Sequence, residues 1–463
     1  MNVIDREKVD LSLDNKEFLQ FYGHKKTVGM FTLGCRVNQY ETEAMAEKFI
    51  AQGYDMVNFD DYADAYVINT CTVTNMGDKK SRQMIHRARR RNENAVIAVV
   101  GCYSQISPQK VSSIEGVDVV LGTRNKGDIV YWIEKACSER RKMIEVNEVL
   151  KNRVFEDLKI DKYQHRTRAF LKIQDGCNRF CSYCLIPFAR GAVCSKSPHK
   201  IMEEVKELAH NNFKEVILSG IHIASYGVDI SGDWNLVRVL EDIDRVEGIE
   251  RIRIGSIDPN FFTEDTISRI SKLKKVCPHF HLSLQSGCDE TLKRMNRGYT
   301  TLKYKEIVAA LRDAIKNVSI TTDVIVGFPG ETEEEFSKTY NFLDKIKFSK
   351  IHVFKYSPRK GTRAAAMRGQ VDGSIKEERS GKIIELDKKL ERQFMNKFLG
   401  KNMDVFYEGK FDGNCDWYEG YTSNYIKVVS RTENDEDLEG KFLCTELESS
   451  ENGYIYGKIK SFR

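Results

Sequence analysis

The sequence lacks any apolar run close to the roughly 20 residues that a helix needs to span a bilayer. Its first residues, MNVIDREKVDLSLDNKEF, are polar and acidic, and they resemble neither a signal peptide nor a transit peptide. Charge of one sign is not in large excess, because the net charge is only +5, which permits a nucleic-acid partner without arguing for one. We therefore expect a soluble cytoplasmic protein with no membrane partner.

Internal repeats and low-complexity segments are also missing, and 463 residues are too many for one ordinary core, so two or three domains are expected. From Thr27 onward, short apolar runs that end at a glycine or polar turn alternate with helical patterns. The runs are TVGMFTLGC, ADAYVINTC, NAVIAVVGC and VDVVLGT. This alternation predicts an N-terminal α/β domain with a doubly wound parallel sheet.

A second alternation begins at Ala169 and contains six strand candidates, which favours a partial (βα)6 barrel over a closed eight-stranded one. These candidates are AFLKIQ, EVILSGI, RIRIGSI, FHLSLQ, ITTDVIVG and IHVFKY. After a long amphipathic helix, short β patterns separated by Gly, Asn and Asp predict a small C-terminal β-barrel. The predicted divisions are a loose extension (1–24), the N-terminal domain (25–140), a charged linker (141–162), the central domain (163–395) and the C-terminal barrel (398–463).

Three of the twelve cysteines, Cys177, Cys181 and Cys184, form a CxxxCxxC loop just after a predicted strand. Three thiolates at this spacing can hold one face of a [4Fe–4S] cluster, whereas electron-transfer clusters normally take four. Cys194 is nearby, but no fourth cysteine sits at a matching spacing. An iron left open can chelate the amino and carboxylate groups of S-adenosylmethionine (SAM), and an electron from the cluster can then break the C–S bond to give a carbon radical. The alternative is a structural zinc knot, which normally uses paired CxxC or Cys/His spacings that this loop lacks.

Another three cysteines, Cys35, Cys71 and Cys102, each close a predicted strand of the N-terminal sheet. Ligands gather at the carboxyl ends of parallel strands, so these thiols are expected to converge on one crevice and to hold a second cluster with an open iron. Spacing alone leaves the alternative of ordinary buried cysteines open. The other six are interpreted as core or surface thiols: Cys137, Cys194, Cys277, Cys288, Cys415 and Cys444.

These motifs resemble those of the methylthiotransferases, radical-SAM enzymes that insert a methylthio group into a C–H bond. TLGCRVNQYETE (32–43), NTCTVT (69–74) and GCYSQ (101–105) are similar to the N-terminal domain of that family. DGCNRFCSYCLIPFARG (175–191), HLSLQSGCDETLKRMNRGYT (281–300) and DVIVGFPGET (323–332) resemble its radical-SAM core, and GYTSNYIKV (420–428) resembles its RNA-binding TRAM barrel. The resemblance implies an auxiliary [4Fe–4S] cluster on Cys35, Cys71 and Cys102.

Within that family, the GCRVNQYETE form around Cys35 and VFKYSPRKGTRAAAM (353–367) are most similar to the branch that acts on threonylcarbamoyladenosine in tRNA. The other branches act on isopentenyladenosine in tRNA and on an aspartate of a ribosomal protein. The resemblance implies conversion of N6-threonylcarbamoyladenosine 3′ of the anticodon to its 2-methylthio derivative. Two [4Fe–4S] clusters would serve, with one SAM supplying the methyl group and a second the radical. A low-potential electron donor of the flavodoxin or ferredoxin type is implied as a partner, and a non-catalytic iron–sulfur carrier or RNA-binding module remains the alternative from a different class.

The sequence also suggests SAM contacts at the ends of predicted strands. Gly327 and Pro329 lie in GFPGE, and Ser219 and Gly220 lie in LSGIHI, where the backbone can approach SAM. Tyr183, inside the cysteine loop, is expected to pack on the adenine. Plain turn glycines and a tyrosine that shields the cluster are the alternatives. The chain departs from the family at Cys194-Ser195-Lys196, where a basic stretch is usual, and at Gly255, where serine is more usual.

Basic residues crowd the segment 79–91 with no acidic residue between them, which suits a phosphate backbone, although a charge run is more often a solvated helix face. Arg87, Arg89 and Arg90 are therefore candidate tRNA contacts. Acidic residues outnumber basic ones in the C-terminal barrel, so its binding cannot rest on net charge. Lys427 is a candidate phosphate contact there, while Tyr421 and Tyr425 are expected either to stack on bases or to fill the barrel core.

Overall fold

The computed structural model describes residues 8–73, 75–151, 153–160, 167–413, 416–432 and 436–462. Cys415 and Thr74, the last residue of the NTCTVT motif, lie outside these ranges. In the described part of the chain, no helix is both long enough and apolar enough to cross a membrane.

The N-terminal domain is a six-stranded, fully parallel sheet with strand order β2-β1-β3-β4-β5-β6, flanked by helices. Every residue of β3, β4 and β5 is buried, because helices cover both faces of the sheet. This confirms the predicted doubly wound architecture. Its elements are α1 (Asn15–Tyr22), β1 (Thr27–Thr32), α2 (Arg36–Ala51), β2 (Asp55–Val57), β3 (Ala65–Thr70), α3 (Asn75–Arg91), β4 (Val96–Gly101), α4 (Cys102–Ile106), α5 (Pro108–Ser112), β5 (Val117–Leu121), α6 (Ile129–Glu139) and β6 (Met143–Glu145).

Residues 8–24 are not a loose extension, and that interpretation is wrong for this segment. Asp14 and Glu17 form a capping box at the start of α1, and Val9, Leu11 and Phe18 are buried in the core of the N-terminal sheet. The charged segment expected to be a linker also packs. It contributes β6 to the sheet and buries Leu158 and Ile160 between the N-terminal and central domains.

The central domain is the predicted partial barrel of six parallel strands, β7-β9-β10 followed by β11-β12-β13. Isolated parallel bridges at Ile252–Val276 and Ile257–Leu282 join the two halves, and β8 adds an antiparallel edge to β7. Its elements are β7 (Arg168–Asp175), α7 (Ile186–Arg190), β8 (Cys194–Ser195), α8 (Pro198–His210), β9 (Glu215–Gly220), α9 (Leu236–Asp244), β10 (Arg251–Ile254), α10 (Glu264–Ile270), β11 (His279–His281), α11 (Asp289–Arg294), α12 (Thr301–Ala314), β12 (Ser319–Val326), α13 (Glu333–Ile346), β13 (Lys350–Lys355) and α14 (Gly373–Asn396).

The C-terminal domain is a closed five-stranded barrel with order β14-β15-β16-β18-β17, as the sequence predicts. Arg251 and Arg253 of the central domain donate hydrogen bonds to four of its backbone carbonyls, so the two domains are held by guanidinium–carbonyl contacts. Its strands are β14 (Asn402–Lys410), β15 (Trp417–Thr422), β16 (Lys427–Arg431), β17 (Phe442–Glu451) and β18 (Tyr454–Phe462).

Candidate active site

The CxxxCxxC loop leaves the carboxyl end of β7 and is followed by the short helix α7. Its three cysteines all receive hydrogen bonds. The backbone N–H of Arg179 donates to Cys177 Sγ (3.5 Å), and that of Ile186 donates to Cys184 Sγ (3.4 Å). From another part of the barrel, Arg297 Nη1 donates to Cys181 Sγ (3.3 Å). Hydrogen bonds and positive charge directed at three sulfurs are the surroundings that a thiolate-held iron–sulfur cluster requires.

Negative charge on one of these thiols raises the pKa of its neighbours. Burial, with smaller contributions from negative charge on Cys181 and Cys177, raises the pKa of Cys184 to about 12. Burial likewise raises the pKa of Cys177, with a further contribution from Cys181. Iron binding reverses this balance, because a metal deprotonates the thiols that ligate it. The donor set fits a three-cysteine cluster.

The second trio lies where the predicted sheet edge places it. Cys71 and Cys102 directly follow β3 and β4, and Cys35 follows β1. Gly34 has a φ of +100°, and a Cβ built on it would stand 2.7 Å from the Cβ of Cys71, so the turn that carries Cys35 packs directly on Cys71. Burial, with smaller contributions from negative charge on Cys102 and Cys35, raises the pKa of Cys71 to about 11. The structure therefore brings these three thiols together at one crevice.

No three Cys, His, Asp or Glu side chains among the described residues are placed to hold a metal ion. The cysteines of a [4Fe–4S] cluster bind three different irons, so they do not converge on a single point. Two sulfurs of the second trio also accept hydrogen bonds. The N–H of Val73 donates to Cys71 Sγ (3.5 Å), and Arg190 Nε donates to Cys102 Sγ (3.4 Å). These donors fit a cluster at this site as well.

Arg190, at the end of α7, links the two cysteine sites. It is fully buried, and its Nη1 and Nη2 donate to the two carboxylate oxygens of Glu41 on α2 at 2.5 and 3.0 Å. Its Nη2 also donates to Asn38 Oδ1 (2.5 Å), and its Nη1 to Asp175 Oδ2 (3.2 Å). Although burial opposes ionisation, Arg190, Lys126 and Lys172 hold the pKa of Glu41 well below its usual range. The sequence analysis did not predict this network. The signal for it in the sequence is Arg190, the arginine of ARG in the cysteine-loop motif.

The four predicted SAM residues outside the cysteine loop lie at the carboxyl ends of β9 and β12. Tyr183 packs edge-on against Phe328, between Gly327 and Pro329, with ring centroids 6.3 Å apart. Gly327 has a φ of +69°, and a Cβ there would clash with Lys376, so the turn itself requires a glycine. Arg294 Nε donates to the carbonyl of Pro329 (3.1 Å).

The other predicted SAM pair, Ser219 and Gly220, ends β9 beside Gln174. Ser219 is buried, and its hydroxyl donates to the Leu171 carbonyl (3.3 Å). A Cβ on Gly220 would lie 2.9 Å from Gln174 Oε1, so close packing also accounts for this glycine.

A cleft of about 790 Å³ lies between the three domains and is lined in part by the strands of the partial barrel. His281 and Asp323 line it from inside the barrel, with His281 Nε2 3.0 Å from Asp323 Oδ2. Gly34 and Arg36 line it from the N-terminal domain, and they also line an adjoining cavity of about 430 Å³ that contains Cys35. Gly34 and Arg36, which flank Cys35, therefore form part of the walls of both the cleft and the cavity.

The predicted RNA contacts are partly engaged within the protein. Asp60, outside the basic segment, neutralises part of it, because Asp60 Oδ1 lies 2.5 Å from Arg87 Nη2 and 3.7 Å from Arg91 Nη2. Arg89 donates to the carbonyl of Glu93, whereas Arg90 is exposed.

In the C-terminal barrel, Lys427 pairs with Glu419 (2.6 Å). Tyr421 and Tyr425 stack on each other with centroids 4.9 Å apart, and Tyr425 also stacks on His279 of the central domain (4.6 Å). These two rings lie between domains instead of in the barrel core.

Five further cysteines lie in the part of the chain that the structure describes. Cys194 is buried, and its Sγ accepts a hydrogen bond from Arg124 Nη2 (3.1 Å). Cys137, Cys277 and Cys288 are buried, and Cys444 is half-buried. At the departure from the family's basic stretch, Lys196 is buried in an ion pair with Glu204.

Comparisons with known proteins match the chain in two regions. The model of the radical SAM superfamily matches residues 171–343, and that of the uncharacterized protein family UPF0004 matches residues 27–122. A radical S-adenosylmethionine methyltransferase from Kitasatospora setae, solved with cobalamin and a [4Fe–4S] cluster, has a TM-score of 0.54 at 13% identity. The match covers 74% of this chain and 77% of that one, and it shows the fold alone.

Among curated relatives, the threonylcarbamoyladenosine tRNA methylthiotransferase of Bacillus subtilis (strain 168) is 43% identical over 93% of this chain and 95% of the relative. That of Aquifex aeolicus (strain VF5) is 42% identical over 81% and 91%. The tRNA-2-methylthio-N(6)-dimethylallyladenosine synthase of Moorella thermoacetica is 35% identical over 94% and 98%. The chain therefore belongs to the radical SAM family of tRNA methylthiotransferases, and it is an enzyme that uses SAM and a [4Fe–4S] cluster.

Proposed function

We propose that the protein converts N6-threonylcarbamoyladenosine, 3′ of the anticodon of tRNA, to its 2-methylthio derivative. Two relatives named for this substrate are 43% and 42% identical, whereas a relative named for dimethylallyladenosine is 35% identical. The structural observation that carries the proposal is the cleft, because it is lined both by inward-facing residues of the radical-SAM barrel and by Gly34 and Arg36, which flank Cys35. Sulfur insertion into a C–H bond requires radical generation and sulfur delivery at one substrate.

We assign one [4Fe–4S] cluster to Cys177, Cys181 and Cys184 and a second to Cys35, Cys71 and Cys102. When bound, the first cluster and SAM supply a carbon radical that abstracts hydrogen, and another SAM supplies the methyl group. The chain's own part is to hold these groups in place. Arg297 and Arg190 each direct a guanidinium N–H at one cysteine sulfur, and Arg190 fixes the position of one site against the other.

The remaining assignments follow from this one. Tyr183, Ser219, Gly220, Gly327 and Pro329 are proposed to contact SAM. The exposed Arg90 is a stronger candidate for tRNA phosphates than Arg87, Arg89 or Lys427, which have partners within the protein. A flavodoxin- or ferredoxin-type protein is proposed as the electron donor, and the cytoplasm as the location.

Nucleoside analysis of tRNA tests the substrate. In a strain in which the gene is deleted and no second enzyme of this activity is present, 2-methylthio-threonylcarbamoyladenosine should disappear while the unthiolated nucleoside accumulates. Loss of the 2-methylthio derivative of isopentenyladenosine instead would move the protein to the other tRNA branch. Unchanged tRNA would exclude both substrates.

Iron counting tests the two clusters separately. Anaerobically reconstituted wild-type protein should bind about eight irons per chain, and Cys177→Ala and Cys35→Ala should each keep about four. Cys194→Ala is the matched control, since its thiol faces Arg124 and should not affect iron content. Four irons in the wild type, or loss of a cluster in the control, would contradict the assignment.

A further inference from the structure

The cleft between the domains is lined by four fully cationic side chains, and three of them are already paired with carboxylates. Arg253 Nε lies 2.7 Å from Glu215 Oε1. Lys350 Nζ lies 2.7 Å from Glu391 Oε2, and Lys427 Nζ lies 2.6 Å from Glu419 Oε2. The fourth, Arg36, has no carboxylate within ion-pair distance among the residues that the structure describes.

The carboxylates that line the cleft have partners of their own. Asp323 is paired with His281 and Glu391 with Lys350. A negatively charged ligand in this cleft therefore meets one uncompensated cation, and that cation is Arg36.

Arg36 is held in place without using up its hydrogen-bonding capacity. It is the first residue of α2, and its exposed side chain lies over the ring of Phe170, 5.4 Å from the centroid. Its Nη2 donates to the hydroxyl of Tyr425 in the C-terminal barrel (3.0 Å). A guanidinium has five N–H donors, so the remaining ones are available to a ligand. Two domains thus orient a cation at the place where the cleft meets the cavity of Cys35.

The chemistry of the proposed substrate matches this position. The methylthio group goes to C2 of the adenine, and the threonylcarbamoyl group is on N6. Both flank N1 on one edge of the base. If sulfur is delivered from the side of Cys35, the N6 substituent lies close to the same wall of the cleft. That substituent ends in the carboxylate of threonine, which is the negative charge that isopentenyladenosine lacks.

We propose that Arg36 binds the threonine carboxylate of the substrate through a charge-assisted hydrogen bond, and that it thereby selects an acidic N6 substituent over a neutral one. Tyr425 is a positioning residue that orients the guanidinium. This inference rests on the proposed function and deepens it, since it names the side chain that distinguishes the two tRNA substrates of the family.

Equilibrium binding to the reconstituted holoenzyme tests the proposal. The probes are two anticodon stem-loop RNAs, one with threonylcarbamoyladenosine and one in which the threonine carboxylate is a carboxamide. The wild type should bind the carboxylate RNA at least about tenfold more tightly. Arg36→Gln should abolish that preference without changing affinity for the carboxamide RNA more than about twofold, and Arg36→Lys should restore part of it.

Lys350→Gln is the matched control, because it removes a cleft cation that is already paired, and it should affect both RNAs equally. Iron content and the visible spectrum of each variant show whether the neighbouring Cys35 site is intact. If Arg36→Gln loses iron, Tyr425→Phe decides the matter, because it frees the guanidinium without touching α2 and should reduce the preference severalfold.

A wild-type enzyme that binds both RNAs equally, or an iron-replete Arg36→Gln enzyme that keeps the wild-type preference, would overturn the role of Arg36. Both results leave the proposed function standing as long as the wild type still methylthiolates threonylcarbamoyladenosine. Conversely, the wild type could fail to modify this nucleoside while Arg36→Gln still abolishes the preference for the carboxylate RNA. That result would support the anion site and contradict the proposed function.

Discussion

At the residue scale, Arg190 joins groups that are far apart in the chain. Its carboxylate partner Glu41 lies 149 residues away and its sulfur partner Cys102 lies 88 residues away, and all three side chains are at least nine-tenths buried. Glu41 also accepts from Lys172 (2.7 Å) and pairs with Lys126. A buried charge network of this kind contributes less to net stability than its contacts suggest, but removing one member leaves the others uncompensated.

Arg190→Gln should therefore be strongly destabilising. The variant leaves the Glu41 and Asp175 carboxylates buried with less positive charge, and the expected loss in the free energy of unfolding is about 3–5 kcal/mol. Urea denaturation of the anaerobic protein measures it. Arg90→Gln, at an exposed position of α3, is the control and should change stability by less than about 0.5 kcal/mol. Equal urea midpoints for the two variants would show that Arg190 does not offset the buried charges of Glu41 and Asp175.

At the scale of secondary-structure elements, buried apolar strands could be predicted from the sequence, whereas the short elements α1 and β6 could not. The buried strands β3 and β4 read as apolar runs that end in a polar turn, so their ends, and hence Cys71 and Cys102, could be placed from sequence. The helix α1 has eight residues and buries mainly Phe18, and β6 has three residues, so neither shows a measurable period.

The site was predictable to the same extent. Cysteine spacing and strand ends identify the two trios, whereas the side chains that serve them come from distant segments. Arg297 reaches Cys181 from 116 residues away, and Arg36 finds its partner Tyr425 across 389 residues. Such contacts depend on how domains pack, which local patterns do not encode.

The turn between β1 and α2 yields a prediction for this element. Gly34→Ala combines a left-handed φ of +100° with a Cβ only 2.7 Å from the Cβ of Cys71. The variant should lose the iron proposed for Cys35, Cys71 and Cys102 while the CxxxCxxC loop keeps its own, which iron counting and EPR spectroscopy can measure. Gly381→Ala is the matched control, since this glycine lies inside α14 with nothing within 4 Å of the added Cβ. Full iron content in Gly34→Ala would contradict the packing of this turn on Cys71.

At the scale of the whole molecule, the acidic balance of the C-terminal barrel is explained in part by what it docks on. Arg168, Arg251 and Arg253 lie at the start of the central strands and face the barrel. Arg168 Nη2 donates to Glu408 Oε2 (2.5 Å), and its guanidinium lies over the ring of Tyr421, 5.1 Å from the centroid. The barrel is therefore attached through charge and backbone carbonyls, and the same docking places Tyr425 against Arg36.

Glu408 makes the stability of this arrangement depend on pH. Burial raises its pKa to about 7, since desolvation outweighs the opposing effect of Arg168. In the unfolded chain a glutamate has a pKa of about 4.3, so the folded protein binds this proton more tightly. The contribution of Glu408 to stability is then fully present below about pH 4.3. It falls as the pH rises from about 4.3 to about 7, and it is lost above about pH 7.

Glu408→Gln should remove that dependence. Between about pH 5.5 and about pH 8, the wild type should lose about 2 kcal/mol more of its free energy of unfolding than the variant does. Urea denaturation of both proteins at the two pH values measures this difference. The variant also loses its ion pair with Arg168, but a loss that is the same at both pH values cancels in the comparison. Glu448→Gln, at an exposed position of β17 in the same barrel, is the control and should follow the wild-type pH profile. Parallel profiles for the wild type and Glu408→Gln would mean that Glu408 is ionised throughout, with Arg168 compensating its burial completely.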